Sequence, residues 1–154
     1  MTNPEIQTFF TSRLPKDWFT EPVRIESDPD EILCVGTLPA GRTPGEFREA
    51  TRAERMAIAS EAEALFRRKV SWGVERDGET TLFTTANLPT MTRLRLPERR
   101  VLDTLVEAGV ARSRSDALGW CVRLVGRHQA EWLADLRDAL GGVEKVRAEG
   151  PTPV

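Results

Sequence analysis

Asp77-Gly78 sits between two β-rich runs, Val70 to Arg76, in which apolar and polar residues alternate, and Glu79 to Thr85. The commonest two-residue hairpin turn holds both central residues at positive φ, which Asp-Gly tolerates, so the pair predicts a tight hairpin. The turn also sets the register. Arg76 opposes Glu79, Trp72 opposes Phe83, and Val70, Trp72, Val74, Thr81 and Phe83 share one face. A sheet with such a face must bury it against another layer.

The cover is encoded upstream. Thr43, Pro44 and Glu46 supply an N-cap, a proline at the first helical position and a first-turn acid. The helix they open is expected to reach about Lys69, with Phe47, Ala50, Met56, Ile58, Ala62, Leu65 and Phe66 as its buried stripe. Arg48, Arg52 and Arg55 are expected on its solvated side, beside Glu49 and Glu54. Earlier still, Val23 to Glu26 alternates, Asp28-Pro29-Asp30 is turn chemistry, and Glu31 to Leu38 is a β-rich run. Phe9, Phe10, Leu14, Trp18 and Phe19 in the leading segment are too apolar for a free tail and should dock on the core. Residues 1–88 therefore read as a β-β-α-β-β module, and the fold class is α+β.

Composition narrows the function classes. The chain has 154 residues, 40% hydrophobic and 30% charged, a globular balance that suits one domain or two small ones. No apolar run approaches the roughly 18 residues that span a bilayer, and the start lacks a basic and apolar leader, so no membrane partner and a cytoplasmic location are expected. Cys34 and Cys121 each lie in an apolar run and read as buried thiols; with His128 as the single histidine, no standard zinc site can be assembled. There is no phosphate loop or dinucleotide fingerprint, and acids such as Asp30 and Glu75 lie at or near turns. No cofactor, no metal and no catalytic residue is expected, and the chain is not expected to be an enzyme.

Charge is distributed unevenly. Residues 1–88 hold 11 basic and 15 acidic groups, a balance of −4; residues 89–128 hold 8 and 4, giving +4; residues 129–154 hold 3 and 5, giving −2. A positive segment inside an acidic chain is a directed electrostatic footprint.

That segment is also strongly patterned. Met91 to Leu96 alternates, with Thr92, Leu94 and Leu96 facing one way and Met91, Arg93 and Arg95 the other. Pro97 and Glu98 open a helix whose stripe is Val101, Leu102, Leu105, Val106 and Ala108, and Gly109 ends it. Ser113 and Asp116 match a capping box for a second helix carrying Ala117, Leu118, Cys121, Val122, Leu124 and Val125. A further amphipathic helix, with Ala130, Trp132, Leu133, Leu136 and Leu140, should end at Gly141-Gly142, and the tail from Glu149 should be loose.

Strand, helix, glycine turn, Ser-Arg-Ser cap and helix together resemble the ribbon-helix-helix family (MetJ, Arc and CopG), chiefly over LRLPERRVLDTLVEAGVARSRSDAL. The resemblance implies a homodimer whose paired strands enter the major groove of double-stranded DNA, as a two-stranded β element can. It makes Met91, Arg93 and Arg95 the base-contacting residues, with arginine forks suited to guanine. Arg112, Ser113, Arg114 and Ser115, at a helix start, become the phosphate contacts. The organisation expected is thus 1–88 as a module for a protein partner or small ligand, 89–128 as the DNA-binding unit, and 129–154 as an added helix and tail. The function expected is a transcriptional regulator, a repressor among them, associated with the nucleoid. The alternatives are an antitoxin, a DNA-partition protein, or an enzyme that uses the unit only to find DNA.

Overall fold

The computed structural model describes residues 4–150, and its chain falls into two compact units, Met1–Pro89 and Thr90–Val154. The first contains α1 (Pro4–Arg13), β1 (Arg24–Ser27), β2 (Glu31–Thr37), α2 (Pro44–Ala50), α3 (Arg52–Phe66), β3 (Lys69–Arg76) and β4 (Glu79–Leu82). The second contains α4 (Leu96–Glu107), α5 (Arg114–His128) and α6 (Ala130–Glu149). The class is α+β.

The four strands lie in the order β1-β2-β3-β4. β1 and β2 pair antiparallel, as do β3 and β4; β2 and β3 run parallel, with Cys34 beside Trp72. A parallel pair needs a crossover, and α2 with α3 supplies it. The Asp77-Gly78 turn has φ of 54° and 78°, and Arg76 pairs with Glu79 as the turn dictates. Trp72 and Phe83 meet just past the ladder, where the Phe83 amide donates to the Trp72 carbonyl at 2.8 Å.

The helices cover the face bearing Ile25, Ile32, Cys34, Trp72 and Val74, and an aromatic cluster fills the space between. Phe47, 0% exposed, lies 5.4 Å from Trp18, 5.3 Å from Phe19 and 6.1 Å from Phe83 between ring centroids. Phe10 meets Trp72 edge-on, and Phe9 meets Phe66. Gly36 is required by this packing, because a Cβ there would overlap the Phe19 ring. Burial also pushes the Cys34 thiol far up its titration range, away from reactivity.

Four expectations need correction in this unit. The leading segment is partly helical: α1 docks through Ile6 and Phe10, and Arg13 forks onto Glu61 of α3 at 2.7 and 2.6 Å. The module is therefore α-β-β-α-α-β-β rather than β-β-α-β-β. The single helix expected from Thr43 bends at Thr51, whose φ and ψ are −104° and 4°. Its buried hydroxyl donates back to the Phe47 carbonyl at 2.6 Å, competing with regular helix geometry. The stripe is narrower than the pattern suggested, since Met56 and Leu65 are exposed. Arg55, expected in solvent, is only 7% exposed.

In the second unit Met91 to Leu96 is not a strand: residues 84–95 carry no ladder, and α4 already begins at Leu96. Among the described residues this unit has no other strand to pair with, and the Leu94 carbonyl is taken instead by Arg99 Nη1 at 2.6 Å. The expected β-α-α plus helix is thus three helices with an extended leader. α6 runs through Gly141-Gly142 to Glu149, so the predicted stop there is wrong; helix propensity of the flanking residues outweighs a glycine cost of about 1 kcal/mol each. The end of the tail expected to be loose, residues 151–154, lies outside the described residues.

Removing the centre of the aromatic cluster should be far costlier than trimming an exposed apolar residue. Phe47→Ala is expected to lower stability by about 3–5 kcal/mol. Met56→Ala should stay within about 0.5 kcal/mol. Urea denaturation followed by far-ultraviolet circular dichroism measures both, and similar losses would show that Phe47 does not organise the core.

Candidate nucleic-acid interface

The second unit is built around two capped helices. α4 ends in a Schellman turn: Gly109 has φ 74°, its amide donates to Val106 O at 3.0 Å, and the Val110 amide donates to Leu105 O at 2.9 Å. α5 starts at Ser113, whose hydroxyl accepts from the Asp116 amide at 3.2 Å. The box is not reciprocal, because the Asp116 carboxylate takes the Arg112 amide instead, at 3.0 Å. That bond is the chief cause holding the Asp116 carboxyl below its usual range. Leu102, Ala111 and Ala117 are the buried centre, with Leu94, Leu105, Val106, Leu118 and Cys121 around it.

The residues expected to contact bases are displayed outward. Met91 is 94% exposed, and Arg93 and Arg95 are exposed, while Leu94 between them is half-buried against the helix pair. The alternation expected of this segment thus survives at Arg93-Leu94-Arg95 without a ladder; Thr92 and Leu96, placed on the inner side by the pattern, are exposed.

The residues expected to contact phosphate cluster at the start of α5, but they are not equivalent. Arg114 is committed to Asp103 of α4, with Nε–Oδ1 at 2.6 Å and Nη2–Oδ2 at 2.8 Å. This fork lowers the Asp103 pKa and raises that of Arg114. It clips α4 to α5 and withholds the guanidinium from a ligand. Arg112 is exposed, with Nε 3.7 Å from Asp116. Ser113 caps the helix, and Ser115 is exposed. The first amides of α5 lack intrahelical acceptors, as at any helix start.

Asp103 and Asp116 are thereby spent on Arg114 and Arg112. Among the described residues, Arg93, Arg95, Arg99, Arg100, Arg123 and Arg127 have no carboxylate within ion-pair distance. Arg100, Arg123 and Arg127 were not singled out from the sequence, although the +4 balance of residues 89–128 already contained them. Among the described residues no cluster of His, Cys, Asp or Glu could hold a metal ion, and no helix is long and apolar enough to cross a membrane.

Comparison with known proteins corrects the resemblance drawn above. Two family models match: an N-terminal domain of Rv1265-like proteins over residues 4–82, and an Mb1296 C-terminal domain over residues 95–147. No ribbon-helix-helix family is found, and the second match spans α4, α5 and most of α6 as one domain. The cues behind the resemblance were an alternating segment, a glycine stop, a serine cap and two apolar stripes; the segment forms no strand, and the remaining cues are shared by any capped helix pair. No solved structure matches the chain. It is 53% identical to the uncharacterized protein Mb1296 of Mycobacterium bovis, in an alignment covering 93% of this chain and 69% of that protein. The same identity and coverage hold for the uncharacterized protein Rv1265 of Mycobacterium tuberculosis. The chain belongs to the Rv1265-like protein family, with both its N-terminal and its C-terminal domain.

Proposed function

We propose that the protein is a dimeric, double-stranded-DNA-binding regulator whose second unit makes the DNA contact. The observation that carries this reading is the set of six arginines between Arg93 and Arg127 without an ion pair, inside a chain of net charge −2. Exposed guanidinium groups along an extended leader and two helices suit a polyanion, because neutralising phosphates releases counterions and supplies most of non-specific affinity. Arg93 and Arg95 stand on the extended leader with forks free for base edges, so they carry sequence discrimination; Arg100, Arg112, Arg123 and Arg127 serve the backbone.

The second copy is supported by the helices. α6 contains no buried residue over its 20 residues, yet Trp132, Leu136, Leu140 and Val143 repeat at spacings of four, four and three and remain exposed. Val122 and Val125 of α5 are exposed as well. A stripe of this period is suited to packing against its own copy, and a unit of about 60 residues buries little surface alone.

Three outcomes test the reading. The full-length protein should sediment as a dimer at micromolar concentration, and Leu136→Asp with Leu140→Asp should make it monomeric while the circular dichroism of the sheet persists. A monomeric parent would remove the second copy from the proposal. Once genome-wide recovery of bound DNA supplies a cognate site, Arg93→Ala or Arg95→Ala should cost about 1–3 kcal/mol on it and little on random duplex. Equal losses on both would show that the leader does not read bases. Finally, Asp103→Asn should free Arg114 and steepen the salt dependence by roughly one phosphate contact. An unchanged slope would place Arg114 away from DNA.

A further inference from the structure

The bend at Thr51 turns one arginine of α3 inward, and a cavity of about 300 Å³ opens beside it. Arg55 Nε donates to Thr51 Oγ1 at 3.0 Å and Nη2 donates to the Arg48 carbonyl at 2.7 Å. Its guanidinium carbon lies 5.0 Å from the Phe83 ring centroid. Both hydrogen-bond partners are neutral, and among the described residues no carboxylate lies within ion-pair distance of Arg55, Arg48 or Arg52. Buried charges are ordinarily paired. Here the neighbours aggravate the cost: burial first, and then the positive charges of Arg48 and Arg52, destabilise charged Arg55, while Glu49, which also lines the cavity, offsets part of this.

The walls of the cavity are of two kinds. Arg48, Arg52 and Arg55, three cations against the single carboxylate of Glu49, make up the charged lining, and Val70, Trp72 and Phe83 are among the apolar lining. The volume falls at the lower end of small-molecule sites, roughly 300–1,000 Å³. An apolar wall with a few converging charged groups is the usual make-up of such sites.

We propose that this cavity binds a small organic oxyanion, a carboxylate or a phosphate ester carried on a planar apolar body. The head group supplies the negative charge that three convergent guanidinium groups lack, and both head groups match the arginine fork. The body packs against Phe83, Trp72 and Val70. Every residue invoked lies in the first unit, so the inference does not depend on the reading of the second as a DNA contact.

Calorimetric titration of the full-length protein tests this with four probes: benzoate, phenyl phosphate, inorganic phosphate and benzyl alcohol. At least one aryl anion should bind saturably and raise the melting temperature, as a ligand of the native state must. Benzyl alcohol and inorganic phosphate should bind at least roughly tenfold more weakly, since each lacks one half of the recognition. The tighter of the two aryl anions identifies the head group. Arg48→Glu with Arg52→Glu, both at exposed positions, should abolish aryl-anion binding while the unliganded protein keeps its circular dichroism spectrum. Phe83→Leu should weaken it and preserve apolar bulk. No saturable binding of either aryl anion overturns the proposal. So does inorganic phosphate binding as tightly as the aryl anions, or aryl-anion affinity unchanged in the arginine double variant.

Discussion

Phe47 is where the first unit is decided. Its ring joins the leading segment, through Trp18 and Phe19, to the hairpin, through Phe83. Its carbonyl accepts the Thr51 amide at 3.0 Å and the Thr51 hydroxyl at 2.6 Å. The second of those bonds accompanies the bend between α2 and α3, and the same hydroxyl then accepts from Arg55. A straight helix would leave Arg48, Arg52 and Arg55 as a row on a solvated face. The bend instead buries one of them against Phe83 and leaves the other two at the mouth of the cavity. Packing at one ring thus sets the conformation of a helix and, through it, the electrostatics of a concave surface.

The second unit has nothing comparable. Its buried centre is Leu102, Ala111 and Ala117, two of them alanines, and its order rests on end chemistry: a Schellman glycine, a serine cap and the Asp103–Arg114 fork. Caps contribute about 1 kcal/mol each, and an exposed ion pair less. Such terms align helices but do not replace apolar burial, while Val122 and Val125 of α5 and Trp132, Leu136, Leu140 and Val143 of α6 are exposed. The two units therefore differ in kind. One is closed around aromatic rings, and the other is a set of well-capped helices whose hydrophobic stripe is exposed.

These differences explain what was legible in the sequence. The Asp77-Gly78 hairpin, the Thr43 cap and the Gly109 stop were readable because each depends on a few residues close in sequence and their local backbone preference. The parallel β2–β3 pairing was not readable, since pairing of separate strands follows from tertiary burial. Thr51 looked like one more helical residue; only its contact with Phe47 and Arg55 makes it a bend. α1 was missed because its apolar residues, Ile6, Phe9 and Phe10, form no clean helical stripe. At the candidate DNA contact, Arg93 and Arg95 were visible from alternation, but the fork that occupies Arg114 was not. Asp103 lies 11 positions away, on the preceding helix. The family resemblance failed for a related reason: capped helix pairs share local signals, and a strand is defined by what lies beside it.

The arginines of the two units are suited to different anions, and geometry separates them. In the first unit the guanidinium groups converge on one small cavity and have aromatic rings beside them. Convergence concentrates charge at a point, which favours a compact head group, and the rings give an attached planar body something to rest on. In the second unit the free arginines are spread along an extended leader and two helices, most of them exposed. Spread charge gains little from a single small anion, which can meet only one or two groups at a time. It gains from a ligand that presents phosphates in series, each neutralised in turn with release of its counterion. The same residue type is thus suited, in the two proposals, to opposite ends of ligand size, and backbone placement, rather than charge count, makes the distinction.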